Sequence, residues 1–185
     1  MSVQLTVGST ASLPALALRP WQADDIDALV SAHRDPVLRR WLRNVIKDDV
    51  AARHWLDDQR QGWADGTQFG FAVTEDAGEG FGAAVGHVVV KVADEGSAEV
   101  GYWSATEGRS RGLVSRALEA AVRWVFSEAF PVSVVRLDLL HAVGNHGSCR
   151  VAERCGFAFA AILPPQPPAF PKEGHLHVRH RPAVA

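Results

Sequence analysis

A chain of 185 residues, 47% of them hydrophobic and 22% charged, has the size and composition of one globular domain. Its net charge of -2 excludes the broad basic field of a protein that binds nucleic acid nonspecifically.

The two cysteines, Cys149 and Cys155, project from different faces of a predicted helix, so we expect no disulfide and a cytoplasmic protein. No signal-peptide pattern and no apolar run of roughly 20 residues is present, so we expect no association with a membrane.

The N-terminal third predicts a strand followed by helices. Residues 1–12 show no hydrophobic period and are predicted to be a flexible arm that precedes a single domain at 13–185. Residues 16–19 predict a strand, after which Asp24 and Asp25 begin a helix. Two further helices are predicted at 36–43 and 48–63.

The middle of the chain predicts a mixed sheet. Two β-rich runs, 69–74 and 84–92, flank a Gly/Glu turn at 77–80 and predict an antiparallel hairpin. The next elements are a strand at 99–103, a helix at 111–126 with apolar residues at three-four spacing, and a strand at 134–140. A strand-helix-strand crossing requires parallel pairing, so we expect parallel and antiparallel strands in one sheet.

The C-terminal part predicts one short helix and two strands. The helix covers 146–154 and ends at Gly156, and the strands cover 157–163 and 175–181. The proline-rich segment 164–171 between these strands predicts a stiff loop.

The loop between the strand at 99–103 and the helix at 111–126 has the composition of a phosphate site. A helix start offers unpaired N–H groups and a partial positive charge, and Gly112 allows a pyrophosphate to approach the backbone closely. Arg109 and Arg111 would add charge-assisted contacts. An ordinary strand-to-helix loop with solvated arginines explains these residues equally well.

A second motif follows downstream, where Asn145 and Ser148 precede Gly156 and Phe157. Together the two motifs resemble the most diagnostic segments of the GNAT acetyltransferases, an Arg-x-x-Gly-x-Gly/Ala loop and an Asn-x-x-Ser…Gly-Phe helix. Segments 18–20 and 99–103 resemble the branch of ribosomal-protein-alanine N-acetyltransferases. The resemblance spans residues 16–163.

The resemblance implies an α/β (α+β) fold with a central mixed, splayed sheet of six to seven strands and about four to five helices. Acetyl-CoA or coenzyme A would lie in the V between two parallel strands, with its pantetheine along 103–105 and its pyrophosphate on 109–115. The implied cofactor-binding residues are Trp103, Ser104, Arg109, Arg111, Gly112, Leu113, Val114, Ser115, Asn145 and Ser148. Val114 departs from the family motif, which has Gly or Ala there, and would crowd the phosphate.

Two catalytic roles remain to be assigned. In many GNAT enzymes a tyrosine before the Gly-Phe pair protonates the coenzyme A thiolate. Ala152 stands at that position here, so the role would pass to Ser148, whose hydroxyl group can donate to sulfur. Glu99 is the first candidate for the base that deprotonates the amine. By alternation Glu99 points where Trp103 points, toward either the cleft or the helical layer.

Competing interpretations of the other polar residues stay open. A structural carboxylate paired with an arginine explains Glu99 nearly as well. Asp138 and His141 are reserve candidates for the base. His175, His177 and His180 form a histidine cluster, but no cysteine or carboxylate completes it locally, so we expect no metal. Trp41, Trp55 and Trp63 lie in the helical region that covers the acceptor site in GNAT proteins.

The sequence therefore predicts an N-acyltransferase that moves an acetyl group from acetyl-CoA to a primary amine by direct attack in a ternary complex. The acceptor is a protein N-terminus or a small-molecule amine. One alternative is a GNAT-fold transferase with an aminoacyl-tRNA or carrier-bound acyl donor, although tRNA is not favoured. Another is a non-catalytic acyl-CoA-binding module. A monomer and a homodimer are both compatible with the sequence.

Overall fold

One eight-stranded sheet organises the computed structural model, which describes residues 3–76, 81–94, 96–168 and 170–183. The strand order is β1-β2-β3-β4-β5-β6-β8-β7. The strands are β1 Leu5–Val7, β2 Leu16–Pro20, β3 Gln68–Asp76, β4 Phe81–Val92, β5 Ser97–Ser104, β6 Arg136–Ala142, β7 Ala158–Leu163 and β8 Gly174–His180. Neighbouring strands pair antiparallel except β5 and β6, which are parallel. The predicted mixed sheet is confirmed.

Five α-helices lie within the described residues. They are α1 Ile26–Arg34, α2 Pro36–Arg39, α3 Asp49–Asp65, α4 Leu113–Val125 and α5 His146–Arg154. Side-chain caps fix several starts: the Asp48 carboxylate accepts from the Ala51 amide at 2.9 Å, and Asn145 Oδ1 accepts from the Ser148 amide at 3.2 Å. None of the helices described here is long and apolar enough to cross a membrane.

Two local predictions differ from the structure. Residues 5–7 of the predicted arm form β1, which pairs antiparallel with β2 and raises the strand number to eight. Three residues are too few to show a period, so the sequence pattern missed this strand. The helix predicted at 36–43 ends at Arg39, because the Trp41 amide donates to the Leu38 carbonyl in a tighter turn. The hairpin of β3 and β4 is confirmed, but the predicted turn at 77–80 lies outside the described residues.

The sheet separates two hydrophobic layers. One layer contains the apolar stripe of α4, which packs on β2 to β6 through residues such as Leu118, Phe71 and Leu139, all at most 1% exposed. The other layer contains α1 and α3, which pack on the opposite face around Trp21 and Trp103. Both faces of the central strands are therefore covered, as in α/β folds with a buried sheet.

A buried histidine sits at the centre of the second layer. The indole Nε1 of Trp21 donates to Nδ1 of His87 at 2.9 Å, and the rings of Trp55 and Trp103 pack at 5.5 and 5.7 Å from the His87 ring. Burial lowers the pKa of His87 to about 3, so the ring is neutral in the folded protein near neutral pH.

This arrangement predicts acid sensitivity. The unfolded chain protonates His87 near pH 6.5 whereas the folded protein does not, so stability falls as the pH drops from about 6.5 toward 3. We expect His87 to remove about 2 kcal/mol from the free energy of unfolding between pH 7.5 and pH 5. Urea denaturation at the two pH values measures the loss. The His87→Asn variant keeps an acceptor for Trp21 but does not titrate, so its free energy of unfolding should fall less between the two pH values. If the variant and the wild type show the same pH dependence, His87 is not the source of the acid sensitivity.

Candidate active site

The parallel strands β5 and β6 separate partway along their length. They pair from Ser97↔Arg136 to Val100↔Leu139, and no further pair between them follows in the described structure although β5 continues to Ser104 and β6 to Ala142. The far edge of β5 stays bonded to β4 up to Ser104. A cleft of about 560 Å³ opens where the strands part. The splayed sheet that the resemblance implied is therefore present.

Five secondary-structure elements line this cleft. Strands β5 and β6 form its floor, the loop before α4 and the start of α4 form one wall, α5 forms the second, and α2 covers the mouth. Nine of the ten sequence-predicted cofactor residues are among the lining residues, namely Trp103, Ser104, Arg109, Gly112, Leu113, Val114, Ser115, Asn145 and Ser148. The tenth, Arg111, is not. The structure thus brings together two motifs that lie more than 30 residues apart in sequence.

The start of α4 presents unpaired backbone donors to the cleft. The first bond of the helix runs from the Arg116 amide to the Gly112 carbonyl at 3.2 Å, so the amides of residues 113–115 have no acceptor inside the helix. Gly112 holds a φ of +71°, and a Cβ atom there would meet nothing within 4 Å. No side chain of residue 112 therefore covers the backbone at the start of α4, where the unpaired amides of a helix favour an anion.

Val114, the departure from the family motif, is accommodated by a glycine on β4. Its Cγ2 lies 3.8 Å from the position that a Cβ atom of Gly86 would occupy. Gly86 itself has no room for a side chain, because that Cβ atom would lie 2.9 Å from the Trp103 carbonyl oxygen. The branched side chain of Val114 lies beside this strand and also lines the cleft, so the crowding of the phosphate that the motif predicts stays a prediction.

The two arginines of the loop are held by carboxylates. Arg109 forms an ion pair with Asp35, which also accepts from the Val37 amide at 2.8 Å and the Thr106 hydroxyl at 3.1 Å. Burial alone would raise the pKa of Asp35, but these three donors together lower it. Arg111 points away from the cleft and binds both carboxylate oxygens of Glu75 at 2.6 Å. Arg111 is therefore held by Glu75 on β3, and its predicted role at the pyrophosphate stays a prediction.

Ser148 and Tyr102 both line the cleft. Ser148 lies in the first turn of α5, which is fixed by the Asn145 cap, and lines the cleft. Burial raises the pKa of Tyr102 to about 12, and a contact with Ser148 opposes part of that increase. The Tyr102 hydroxyl is buried and has no hydrogen-bond partner of good geometry among the described residues. The sequence analysis assigned no role to Tyr102. Alternation along β5 nevertheless places Tyr102 on the sheet face opposite to that of Trp103.

Glu99 lies outside the cleft. It shares the sheet face of Trp103, as alternation predicts, but it pairs with Asp138 in the part of the sheet where β5 and β6 are still bonded. Neither carboxylate lines the cleft, and Asp138 is held by Arg136 at 2.7 Å. Strand alternation predicts the sheet face on which Glu99 lies, but it does not predict where β5 and β6 separate. The sequence could therefore not show that Glu99 lies outside the cleft. Of the three candidate bases only His141 lines the cleft.

One of the three tryptophans predicted near an acceptor reaches the cleft. Trp41 lines the mouth beside α2, with the guanidinium of Arg40 5.0 Å and the ammonium of Lys172 5.9 Å from its ring centre. Trp55 and Trp63 instead pack into the two hydrophobic layers. The mouth is therefore aromatic and basic.

A family model described as an acetyltransferase (GNAT) domain matches residues 15–158. The chain belongs to the GNAT acetyltransferase family. It is accordingly an N-acetyltransferase of the kind that uses acetyl-CoA. The branch suggested by the sequence is also supported: over 60 residues this GNAT chain is 37% identical to YdaF of Bacillus subtilis (strain 168), named as a ribosomal N-acetyltransferase. That stretch covers 32% of this chain and 31% of YdaF, about a third of the relative's length.

Solved structures show the same fold at low identity. RimL, a ribosomal L7/L12 alpha-N-protein acetyltransferase, superposes with a TM-score of 0.79 at 16% identity, covering 97% of this GNAT chain and 95% of its own. RimJ of Mycobacterium smegmatis, solved in complex with CoA-disulfide, gives 0.77 at 19% identity over 97% and 86% of the two chains. The eight strands and five helices described above match this GNAT architecture.

The residues at the cleft fit acetyl-CoA. The unpaired amides of α4 suit a pyrophosphate, and the free edge of β5 beyond Val100 leaves backbone groups that an amide-containing pantetheine chain can satisfy.

Gly112→Val should weaken coenzyme A binding by at least about tenfold, because a branched side chain is strained at a positive φ and stands before the α4 amides. Calorimetric titration with coenzyme A measures the affinity. Gly66→Val is the matched control: Gly66 has a φ of +69°, also with nothing within 4 Å of a Cβ atom, but it ends α3 away from the cleft. Equal effects of the two substitutions on affinity would show that backbone strain, rather than the phosphate site, was responsible.

Proposed function

We propose that the chain acetylates the primary amine at a protein N-terminus by direct attack on acetyl-CoA within a ternary complex. The observation that carries this proposal is the parting of β5 and β6 in front of the bare N-terminal amides of α4. The arrangement supports a long, extended thioester bound with its reactive end between the strands. Holding both reactants in that geometry would be the main source of rate acceleration.

Backbone groups would do most of the cofactor binding. The amides of residues 113–115 would hold the pyrophosphate, while Gly101 to Ser104 on the open edge of β5 would bond the pantetheine. Arg150 and Arg154 on α5 also line the cleft and would neutralise the phosphates from the other wall. Arg109 contributes indirectly, because its ion pair with Asp35 ties the loop to α2.

Ser148 is the proposed donor to the leaving group. When bound, acetyl-CoA supplies the acetyl group as a thioester, and its sulfur leaves as a thiolate. The Ser148 hydroxyl, at the inner end of the cleft, would donate a hydrogen bond to that sulfur. Tyr102 also lines the cleft, and its buried hydroxyl group contacts Ser148, so it would act as the positioning residue that orients the serine.

The incoming amine would lose its proton to water. The described lining residues include no carboxylate, and Glu99 is separated from the cleft by the paired part of β5 and β6. The mouth beside α2 gives solvent access to the reacting end. His141 lines the cleft, but its Nε2 atom faces His177 at 3.2 Å and Cys149 at 3.6 Å. We therefore assign no side-chain base and place Glu99 outside the chemistry.

The mouth favours an acidic acceptor segment. Arg40 and Lys172 flank Trp41, and Arg43 lies 4.6 Å over the ring of Phe170 in the loop after β7. These cations would attract carboxylates that follow the acceptor amine, and the rings would pack on its backbone. RimL is named as a ribosomal L7/L12 alpha-N-protein acetyltransferase, which agrees with a protein N-terminus as acceptor. No feature of the described cleft favours an aminoacyl-tRNA donor or a non-catalytic module.

Purified protein should acetylate an acidic peptide faster than a basic peptide with the same N-terminal residue. Coenzyme A release detected by a thiol reagent, with mass spectrometry of the peptide, measures the reaction. The same acidic peptide with a blocked N-terminus should give no product. If only small-molecule amines are acetylated, the proposed acceptor class is wrong; if coenzyme A binds but no amine is acetylated, the non-catalytic interpretation replaces the transferase.

Ser148→Ala should lower kcat by roughly a hundredfold with coenzyme A affinity nearly unchanged, because a hydrogen bond to the leaving group forms mainly in the transition state. Tyr102→Phe should lower kcat less. Glu99→Gln, the matched test of the carboxylate predicted from sequence, should retain most of the activity. The opposite pattern, with Glu99→Gln inactive and Ser148→Ala active, would reverse the two assignments.

A further inference from the structure

Four potential metal ligands converge beside the cleft, and one of them, His141, also lines it. They are His141 at the end of β6, Cys149 on α5, and His175 and His177 on β8. We propose that they form a structural zinc site. This proposal does not depend on the acetylation reaction, and it revises the expectation from sequence that no metal binds.

The sheet topology explains how these residues meet. Strand β8 pairs antiparallel with β6, which places His175 opposite His141 and His177 opposite Leu139. The three imidazoles therefore lie on one face of the sheet, the face that α5 covers. Cys149, the fourth residue of α5, then contacts these imidazoles. His180, the third member of the sequence cluster, projects from the opposite face by alternation and is exposed.

The distances match tetrahedral zinc coordination. Zinc binds imidazole nitrogen at about 2.0–2.1 Å and thiolate sulfur at about 2.3 Å, so a tetrahedron has N–N edges of about 3.3 Å and N–S edges of about 3.6 Å. His141 Nε2 lies 3.2 Å from His177 Nε2 and 3.6 Å from Cys149 Sγ. Cys149 Sγ lies 3.5 Å from His175 Nδ1. All four ligand atoms lie within 4.8 Å of one another, so small rotations complete the geometry.

Hydrogen bonds within the cluster do not provide partners for all the ring nitrogens of its histidines. His141 Nδ1 lies 3.0 Å from the Ala142 carbonyl oxygen; donation to that oxygen leaves the lone pair of Nε2 facing the cluster. His177 is 2% exposed, and its Nδ1 atom is buried with no hydrogen-bond partner of good geometry in the described part of the chain. A cation at the centre would use the inward lone pairs and would allow the outer nitrogens to carry protons.

The ligand set selects a zinc-like ion with a structural role. Three imidazoles and one thiolate suit zinc and disfavour magnesium and calcium, which prefer oxygen ligands. Four protein ligands fill a tetrahedron, so no position remains for water or substrate. Phe159 covers the outside of the cluster, its ring 5.2 Å from that of His175 and 5.7 Å from that of His177. A bound ion would join β6, β8 and the turn of α5 that carries Ser148.

The proposal is tested on full-length, tag-free protein by metal analysis and cobalt spectroscopy. We expect about one equivalent of zinc per chain, removable by a strong chelator with a fall in Tm that added zinc reverses. Cobalt should produce the intense visible bands of a tetrahedral ion together with a thiolate-to-cobalt charge-transfer band. Wild-type protein that takes up well under one equivalent of zinc and gives no such bands would overturn the proposal without the use of any variant.

Matched variants locate the site. Cys149→Ser should abolish the charge-transfer band and the zinc-dependent shift in Tm, and His175→Asn should abolish the tetrahedral spectrum. Cys155→Ala, at the other cysteine, and His180→Asn, on the other face of β8, should keep both properties. Retention of the thiolate band in Cys149→Ser, or its loss only in Cys155→Ala, would show that the metal is held elsewhere.

Discussion

The early end of the pairing between β5 and β6 is the constraint on which the rest of the structure depends. Beyond Val100 and Leu139 each strand turns a row of backbone N–H and C=O groups toward the other across a gap. Such groups are costly to leave unsatisfied when they are covered, so the gap must hold solvent or a ligand with its own amides. The crossover through α4 fixes the strand direction and directs the start of that helix to the same opening. The cleft and the proposed anion site therefore both result from the way in which α4 connects β5 to β6.

The arginines of the loop before α4 are held by carboxylates, whereas Arg150 and Arg154 of α5 line the cleft. The loop before α4 is rich in arginine, but Arg111 is held by Glu75 and Arg109 by Asp35. These ion pairs fix the loop to β3 and to α2, and so hold the amides of α4 in place. A positive φ at Gly112 then leaves those amides uncovered. These two arginines thus stabilise the shape of the proposed phosphate site more than they supply its charge.

Helix α5 connects two functions that the sequence places side by side. Ser148 faces the cleft, whereas Cys149, the next residue, faces the imidazoles of β6 and β8. Consecutive helical residues diverge by about 100° around the axis, so one turn serves both sides. The Asn145 cap fixes the start of that turn, and the cluster behind it restrains its rotation. The geometry at Ser148, the proposed leaving-group donor, therefore depends on the packing of β8, a strand that does not line the described cleft.

The sequence by itself determined the local parts of this protein. The apolar stripe of α4, the glycine at its start and the Asn145 cap act within a few residues, so their patterns predicted the helix starts at both motifs. Tertiary structure alone decided that Arg111 meets Glu75, that Glu99 stays outside the cleft, and that Cys149 joins His141 and His175. The reason is physical: periodicity specifies which face a side chain occupies, whereas long-range contacts depend on strand order and on where two strands cease to pair.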